Sequence, residues 1–165
     1  MKHKKAKLFI LIALTAYTAI MIYLMFFHNR RTFNAYLYNL KPFKTIREAF
    51  DIYIWYVKNI PKIAGNEFWR FAVNIFGNIG MFVPFGIFLT ILFDFKFIKP
   101  LIIFETGLVT LETAQLISRR GVFDIDDIIL NTIGFLIGCA IITLIYKFII
   151  KVRRTKQNVK IQNIR

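Results

Sequence analysis

The sequence predicts an all-α membrane protein, with four transmembrane helices in an up-down bundle and an interfacial helix in the first loop. Of its 165 residues, 57% are hydrophobic and 17% are aromatic, which is too apolar for an ordinary soluble domain. The net charge of +14 lies in tails and loops that bracket long apolar runs. This is the pattern of membrane topology, so we expect one membrane domain over residues 1–165 and no nucleic-acid partner.

Four apolar runs are long enough to cross a hydrocarbon core of about 30 Å. The first follows a group of lysines, but it is longer than the ~7–15 residues of a signal-peptide core, so we interpret it as a retained helix. The last run is followed by a basic, frayed tail at residues 151–165. The predicted spans cover residues 8–27, 71–93, 100–117 and 127–149.

The first loop contains a segment with helical periodicity. Within residues 45–60, the apolar side chains Ile46, Phe50 and Val57 fall on one stripe, while charged side chains fall elsewhere. This pattern predicts an amphipathic helix on the membrane surface, with a re-entrant segment as the alternative.

The distribution of Lys and Arg predicts the orientation in the membrane. Four spans place both termini on one side, and the tails and the turn with Lys96 and Lys99 are short and basic. Both termini are therefore expected in the cytoplasm, although the first loop is also rich in basic residues.

Polar residues on the last three spans predict a site. Glu112 and Gln115 share one helical face, and Asp127 and Asn131 share another. In antiparallel spans these positions and Asn78 fall in the same half of the bilayer, which is the outer half in the predicted orientation. Ionisable groups in a span are costly and are functional candidates. We call the predicted set the polar cluster; it comprises Asn78, Glu112, Gln115, Arg120, Asp124, Asp127 and Asn131.

Small residues and a proline predict where helices pack. Small side chains let helix backbones approach closely, and a proline inside a span frees a carbonyl and predicts a kink. The predicted packing positions are Gly77, Pro84, Gly86, Gly134 and Gly138. The single cysteine, Cys139, lies in an apolar run and is interpreted as a small buried hydrophobic residue.

Four sequence blocks resemble those of the VanZ-like membrane proteins, in the order in which that family shows them. They are N-L-K-P-F at 39–43, N-I-G-M-F-V-P-F-G at 78–86, E-T-A-Q at 112–115 and R-G-V-F-D-I-D-D-I-I-L-N-T-I-G at 120–134. The resemblance implies a multi-pass protein of the bacterial cell membrane. It also implies a link to low-level resistance to glycopeptide antibiotics, teicoplanin especially, without assigning a reaction.

The residues leave three roles open for the polar cluster. Glu112, Asp124 and Asp127 offer oxygen ligands to a hard cation, although the spacing matches no EF-hand and no zinc ligands lie near. A carboxylate in low dielectric is also a candidate general acid or base. In the third role the cluster is structural, with Glu112 paired to Arg119 or Arg120, and Asp127 to Asn78. We predict no bound metal and no cofactor.

Two function classes follow from these observations. The first is a non-enzymatic envelope protein that binds a membrane lipid, a lipid-linked envelope precursor or the glycopeptide itself. The second is a small membrane enzyme that acts on such a lipid-linked substrate by carboxylate acid/base chemistry. A transporter is disfavoured because the four spans show no internal repeat.

Overall fold

The computed structural model describes residues 2–27, 33–35 and 37–162. It consists of five α-helices and two short β-strands. The helices are α1 (Lys2–Phe26), α2 (Lys44–Asn59), α3 (Pro61–Leu92), α4 (Ile98–Ile117) and α5 (Ile125–Gln162). The strands are β1 (Leu37–Asn39) and β2 (Val122–Asp124).

Four of the described helices, α1, α3, α4 and α5, are long and apolar enough to cross a membrane. Their large apolar side chains remain exposed to the surroundings along much of their length, among them Phe9, Phe76 and Phe148. In water such a surface would be unfavourable, whereas in a bilayer it contacts acyl chains. The predicted multi-pass, all-α membrane fold is confirmed.

Two boundaries differ from the prediction. Helix α3 begins at Pro61 rather than near residue 71, because proline is well suited to a first helical position, where its missing N–H costs nothing. The predicted frayed tail is helical as far as Gln162, since α5 continues past the apolar run; residues 163–165 lie outside the described part of the chain.

The predicted interfacial helix is α2, whose bounds match the expected segment to within one residue. None of its side chains is buried within the protein, and its apolar stripe packs on the first turns of α3. The ring centroids of Phe50 and Phe71 are 5.9 Å apart, and those of Tyr53 and Phe68 are 5.5 Å apart. Helix α2 and the first part of α3 therefore run antiparallel and form a hairpin joined at Ile60.

Helices α3 and α5 pack backbone against backbone. A Cβ atom added to Gly134 would lie 2.1 Å from the Ile79 carbonyl oxygen, and one added to Gly138 would lie 2.1 Å from that of Val83. From the other side, a Cβ on Gly86 would lie 2.0 Å from the Phe135 carbonyl oxygen. We call this contact the glycine seam. Only glycine fits at its three positions, as small residues do in membrane helix pairs.

The other predicted packing positions behave differently. A Cβ added to Gly77 would meet nothing within 4 Å, so this glycine is not needed for helix packing. Helix α3 is continuous through Pro84, which is half-buried. Cys139 is buried next to the seam, with its Sγ 3.7 Å from the Gly86 carbonyl oxygen, as expected of a small hydrophobic residue.

The two strands form an element that the sequence did not predict. Strand β1, from the first loop, pairs in parallel with β2, from the loop between α4 and α5, with Asn39 opposite Asp124. The expected loop at 118–126 therefore contains a strand. This pairing places Asn39, the first residue of the N-L-K-P-F block, against Asp124 of the R-G-V-F-D block, at one end of the bundle.

Candidate functional site

The polar cluster surrounds a cavity of about 240 Å³ at the end of the bundle where β1 and β2 pair. The end of α1, the middle of α3, the end of α4 and the start of α5 form its walls. Six of the seven residues in the cluster line it: Asn78, Glu112, Gln115, Asp124, Asp127 and Asn131. Arg120 is not among the lining residues.

Asp124 connects the two loops. Its Oδ1 accepts hydrogen bonds from Asn39 Nδ2 at 3.1 Å and from the Asp126 backbone N–H at 2.9 Å. Its Oδ2 accepts one from Thr45 Oγ1 at 2.5 Å. Both oxygens of this buried carboxylate therefore accept hydrogen bonds from protein donors, so Asp124 holds β1, β2 and the start of α2 together.

Asp126 caps helix α2 from a distance of about eighty residues in the sequence. Its Oδ1 accepts a hydrogen bond from the Phe43 backbone N–H, and its Oδ2 accepts from the N–H groups of Thr45 at 2.8 Å and Ile46 at 3.2 Å. The first N–H groups of a helix lack internal partners and favour a negative charge. Phe43 adopts a left-handed backbone conformation (φ 62°), which this carboxylate helps to hold.

Asp127 pairs with Asn78 across the α3–α5 interface. The Asn78 Nδ2 donates to Asp127 Oδ1 at 2.6 Å. This is the contact expected from the structural interpretation of the cluster. It orients both side chains where they border the cavity, just beyond the first close approach of the glycine seam at Gly134.

Gln115 and Arg120 bind the end of α1. Gln115 Nε2 donates to the Met25 carbonyl oxygen at 3.2 Å, and an Arg120 guanidinium N–H donates to that of Phe26 at 3.0 Å. The guanidinium carbon also lies 5.0 Å from the centroid of the Phe27 ring. Terminal helix carbonyls attract donors and cations. The structure therefore gives Arg120 a helix-capping contact at the end of α1.

Glu112 and Asn131 are the most enclosed polar side chains on the cavity wall. Glu112 is 1% exposed and Asn131 is 2% exposed. The Asn131 Oδ1 has no hydrogen-bond partner among the residues that the structure describes. A buried amide oxygen without a donor costs roughly 1–3 kcal/mol, and such groups in native proteins call for an explanation. A ligand that supplies a donor is one explanation.

The cavity chemistry is acidic and amide-rich. Three carboxylates and four side-chain amides line it, and the described lining residues include no Lys, Arg or His. Within the described part of the chain, no group of three or more His, Cys, Asp and Glu side chains is placed to hold a metal ion. Glu112, Asp124 and Asp127 therefore do not form the hard-cation site considered from the sequence.

Some residues of the site were missed in the sequence. Asn39 and Thr45 bind Asp124, and Asp126 caps α2, although none of them belongs to the predicted cluster. Asn74, one turn before Asn78, also lines the cavity, as its position in the same half of the bilayer as the polar cluster indicates.

The comparisons with known proteins agree with the architecture. The family model described as VanZ/LLP1 matches residues 14–146, which include every residue of the polar cluster and the glycine seam. No curated protein and no solved structure matches the chain significantly. The matched region runs from the middle of α1 into the second half of α5, and thus spans all four membrane helices and the paired strands. The chain belongs to the VanZ/LLP1 family.

Proposed function

We propose that this chain is a bacterial envelope protein whose polar cavity binds a lipid or a lipid-linked envelope ligand, and thereby supports low-level resistance to teicoplanin-type glycopeptides. The observation that carries the proposal is the Asn131 Oδ1, which is buried on the cavity wall with no donor among the described residues. An acceptor left unsatisfied inside a membrane protein is costly. A donor on a bound ligand would recover that cost.

The position of the cavity also supports a lipid ligand. It lies at the bundle end where α1 ends and α5 begins, close to the interfacial helix α2. If both termini face the cytoplasm, as the basic tails predict, this end faces the outer leaflet. Lipid-linked envelope precursors and glycopeptides would then reach the cavity from that side.

Binding fits the hydrogen bonds of the cluster better than catalysis does. Asp124 and Asp126 are occupied by protein donors, and Asp127 accepts from Asn78, so these groups hold the site together. Glu112 is the residue that keeps the enzymatic alternative open, since a carboxylate that is 1% exposed beside a cavity is a candidate general acid.

The test is resistance in a strain that lacks the protein. Wild-type, Asn131→Leu and Glu112→Gln chains would be expressed in it, and inhibitory concentrations of teicoplanin and vancomycin would be measured side by side. We expect the wild type to restore teicoplanin resistance and Asn131→Leu to fail, because leucine has a similar size and no polar atoms. Glu112→Gln keeps the size and one acceptor oxygen but removes the charge, so acid/base catalysis predicts complete loss of resistance, whereas binding predicts a partial loss.

The matched control is Glu105→Gln. Glu105 is on the same helix as Glu112, but it accepts a hydrogen bond from Thr132 at 2.9 Å and does not line the cavity. This variant should behave as the wild type does, with membrane levels of all variants compared by immunoblot. Full resistance in Asn131→Leu at a normal protein level would contradict the proposal.

A further inference from the structure

An apolar groove adjoins the polar cavity and extends along the bundle. Its volume is about 190 Å³, and its walls come from α1, α3 and α4. Met21, Met25 and Phe82 line both spaces, so the groove and the cavity are neighbours with these three side chains between them. From there the groove runs toward Leu14 and Leu89, which lie further from the polar end on their helices.

The groove opens sideways through α4. Ile103 is 48% exposed and lines the groove, and the neighbouring lining residue Gly107 is also exposed. On a membrane-spanning helix this exposure faces acyl chains rather than water. A hydrocarbon chain can therefore enter from the bilayer without crossing a polar surface.

The dimensions favour one chain. An apolar cavity of roughly 150 Å³ accommodates a benzene-sized molecule, so the groove admits a single chain segment rather than two side by side. Each space alone is smaller than the ~300–1,000 Å³ of typical ligand pockets, whereas the two volumes taken together reach that range. The pair therefore has the shape of a site for a small amphiphile.

The cavity walls select the head group. The carboxylates of Glu112 and Asp127 and the Asn131 Oδ1 on the cavity wall are acceptors, and the described lining residues include no Lys, Arg or His. A phosphate would bring negative charge next to carboxylates in a low-dielectric space, which is strongly unfavourable. Hydroxyl or ammonium groups would donate to these acceptors instead.

We infer that the ligand of this site is a single-chain amphiphile whose head donates hydrogen bonds through hydroxyl or ammonium groups and carries no phosphate. The head occupies the polar cavity, and the chain lies in the apolar groove between α1, α3 and α4. This inference rests on the proposed function and specifies the class of lipid that the cavity accepts.

The experiment compares lipids that share one chain and differ in the head. Purified wild-type protein in a mild detergent would be titrated with mono-oleoylglycerol, oleylamine and oleoyl lysophosphatidic acid, and bound lipid would be counted by native mass spectrometry. The glycerol and amine heads present the two donor chemistries separately. We expect at least one of them to bind about tenfold or more tightly than the lysophosphatidic acid.

A plug in the groove tests the place of the chain. Gly107→Phe introduces a ring into the groove, and the first atom of the new side chain meets nothing within 4 Å. Binding of the preferred lipid should fall by about tenfold or more, because the buried contact of the chain is lost. Gly80→Phe is the matched control: its Cβ also meets nothing within 4 Å, and Gly80 lines neither space.

The outcomes separate the two proposals. If Asn131→Leu abolishes binding while Gly107→Phe leaves it intact, the polar site stands and the chain assignment is overturned. Equal or tighter binding of lysophosphatidic acid overturns the head assignment.

If Gly107→Phe does not fold, the wild-type protein would be titrated with octanoyl and oleoyl glycerides instead. Equal affinity for the two chain lengths would overturn the assignment of the chain to the groove. No binding of any single-chain lipid overturns the inference, and the resistance assay still judges the proposed function.

Discussion

The two sides of α3 are packed in opposite ways. Toward α5, the glycine seam brings backbone atoms so close that even a methyl group does not fit at Gly86 or Gly134. Toward α1 and α4, the same helix borders the polar cavity and the apolar groove through Asn78, Phe82 and Phe85. The closely packed pair α3 and α5 thus supports one side of the cavity and the groove. The difference indicates that α3 and α5 form the scaffold and that α1 and α4 complete the site.

The largest expected effect comes from breaking the seam. In Gly134→Leu the new side chain would overlap the Ile79 carbonyl, where the Cβ alone lies 2.1 Å from the oxygen. We expect destabilisation at or above the upper end of the ~1–3 kcal/mol typical of overpacking, and a marked loss of folded protein. Thermal unfolding in detergent measures this. Gly80→Leu, on an open part of α3, should unfold close to the wild-type temperature.

Next in size is the loss of the cap on α2. Asp126→Ala leaves the N–H groups of Thr45 and Ile46 without their acceptor, and we expect a cost of about 2–3 kcal/mol because the acceptor is charged. Hydrogen exchange of the first turn of α2 should rise. Asp51→Ala removes an exposed carboxylate at 4.0 Å from Arg47 and should cost at most about 0.5 kcal/mol. Equal exchange in both variants would contradict the capping role.

A smaller effect is expected at the contact between the two sides. Asn78→Ala removes the donor to Asp127 but leaves the seam intact, so we expect about 1–2 kcal/mol of destabilisation. We also expect teicoplanin resistance to fall by more than the accompanying drop in the amount of folded protein explains. Protein levels would be matched by immunoblot. A drop in resistance that only follows the drop in protein level would show that the pair is structural and nothing more.

The smallest effect is expected at the C-terminus. Removing the residues after Arg154 deletes Lys156, Lys160 and Arg165 among the charged groups, which on our interpretation contact lipid head groups. Helix α5 already crosses the membrane before this point, so resistance should not change measurably. Loss of resistance at a normal protein level would mean that the polar cluster is not the whole functional site.

The sequence predicted the scaffold well because apolar run length and helical periodicity are local signals. The four membrane helices, α2 and the close approach at Gly134 and Gly138 could all be read from spacing. The strand pairing and the remote cap at Asp126 could not, since both join segments about eighty residues apart through backbone groups.

Within the site, spacing predicted which residues share a helical face and left their partners undetermined. Gln115 and Arg120 were placed in the polar cluster as candidates for ligand contact, yet each donates to a carbonyl at the end of α1. Hydrogen-bond partners depend on how helices rotate about their axes, which single-helix periodicity does not specify. The open space of the cavity and the groove has no sequence signal, because the apolar residues that line it would fit a closed core equally well.

The most direct test is an experimental structure of the protein purified with its native lipids. The two-sided packing of α3 predicts non-protein density in the polar cavity within hydrogen-bond distance of Asn131 Oδ1, continuing past Met25 and Phe82 toward Gly107, with the glycine seam unchanged. A structure in which Asn131 Oδ1 bonds to a protein donor, and α1 and α4 close the cavity and the groove, would contradict it.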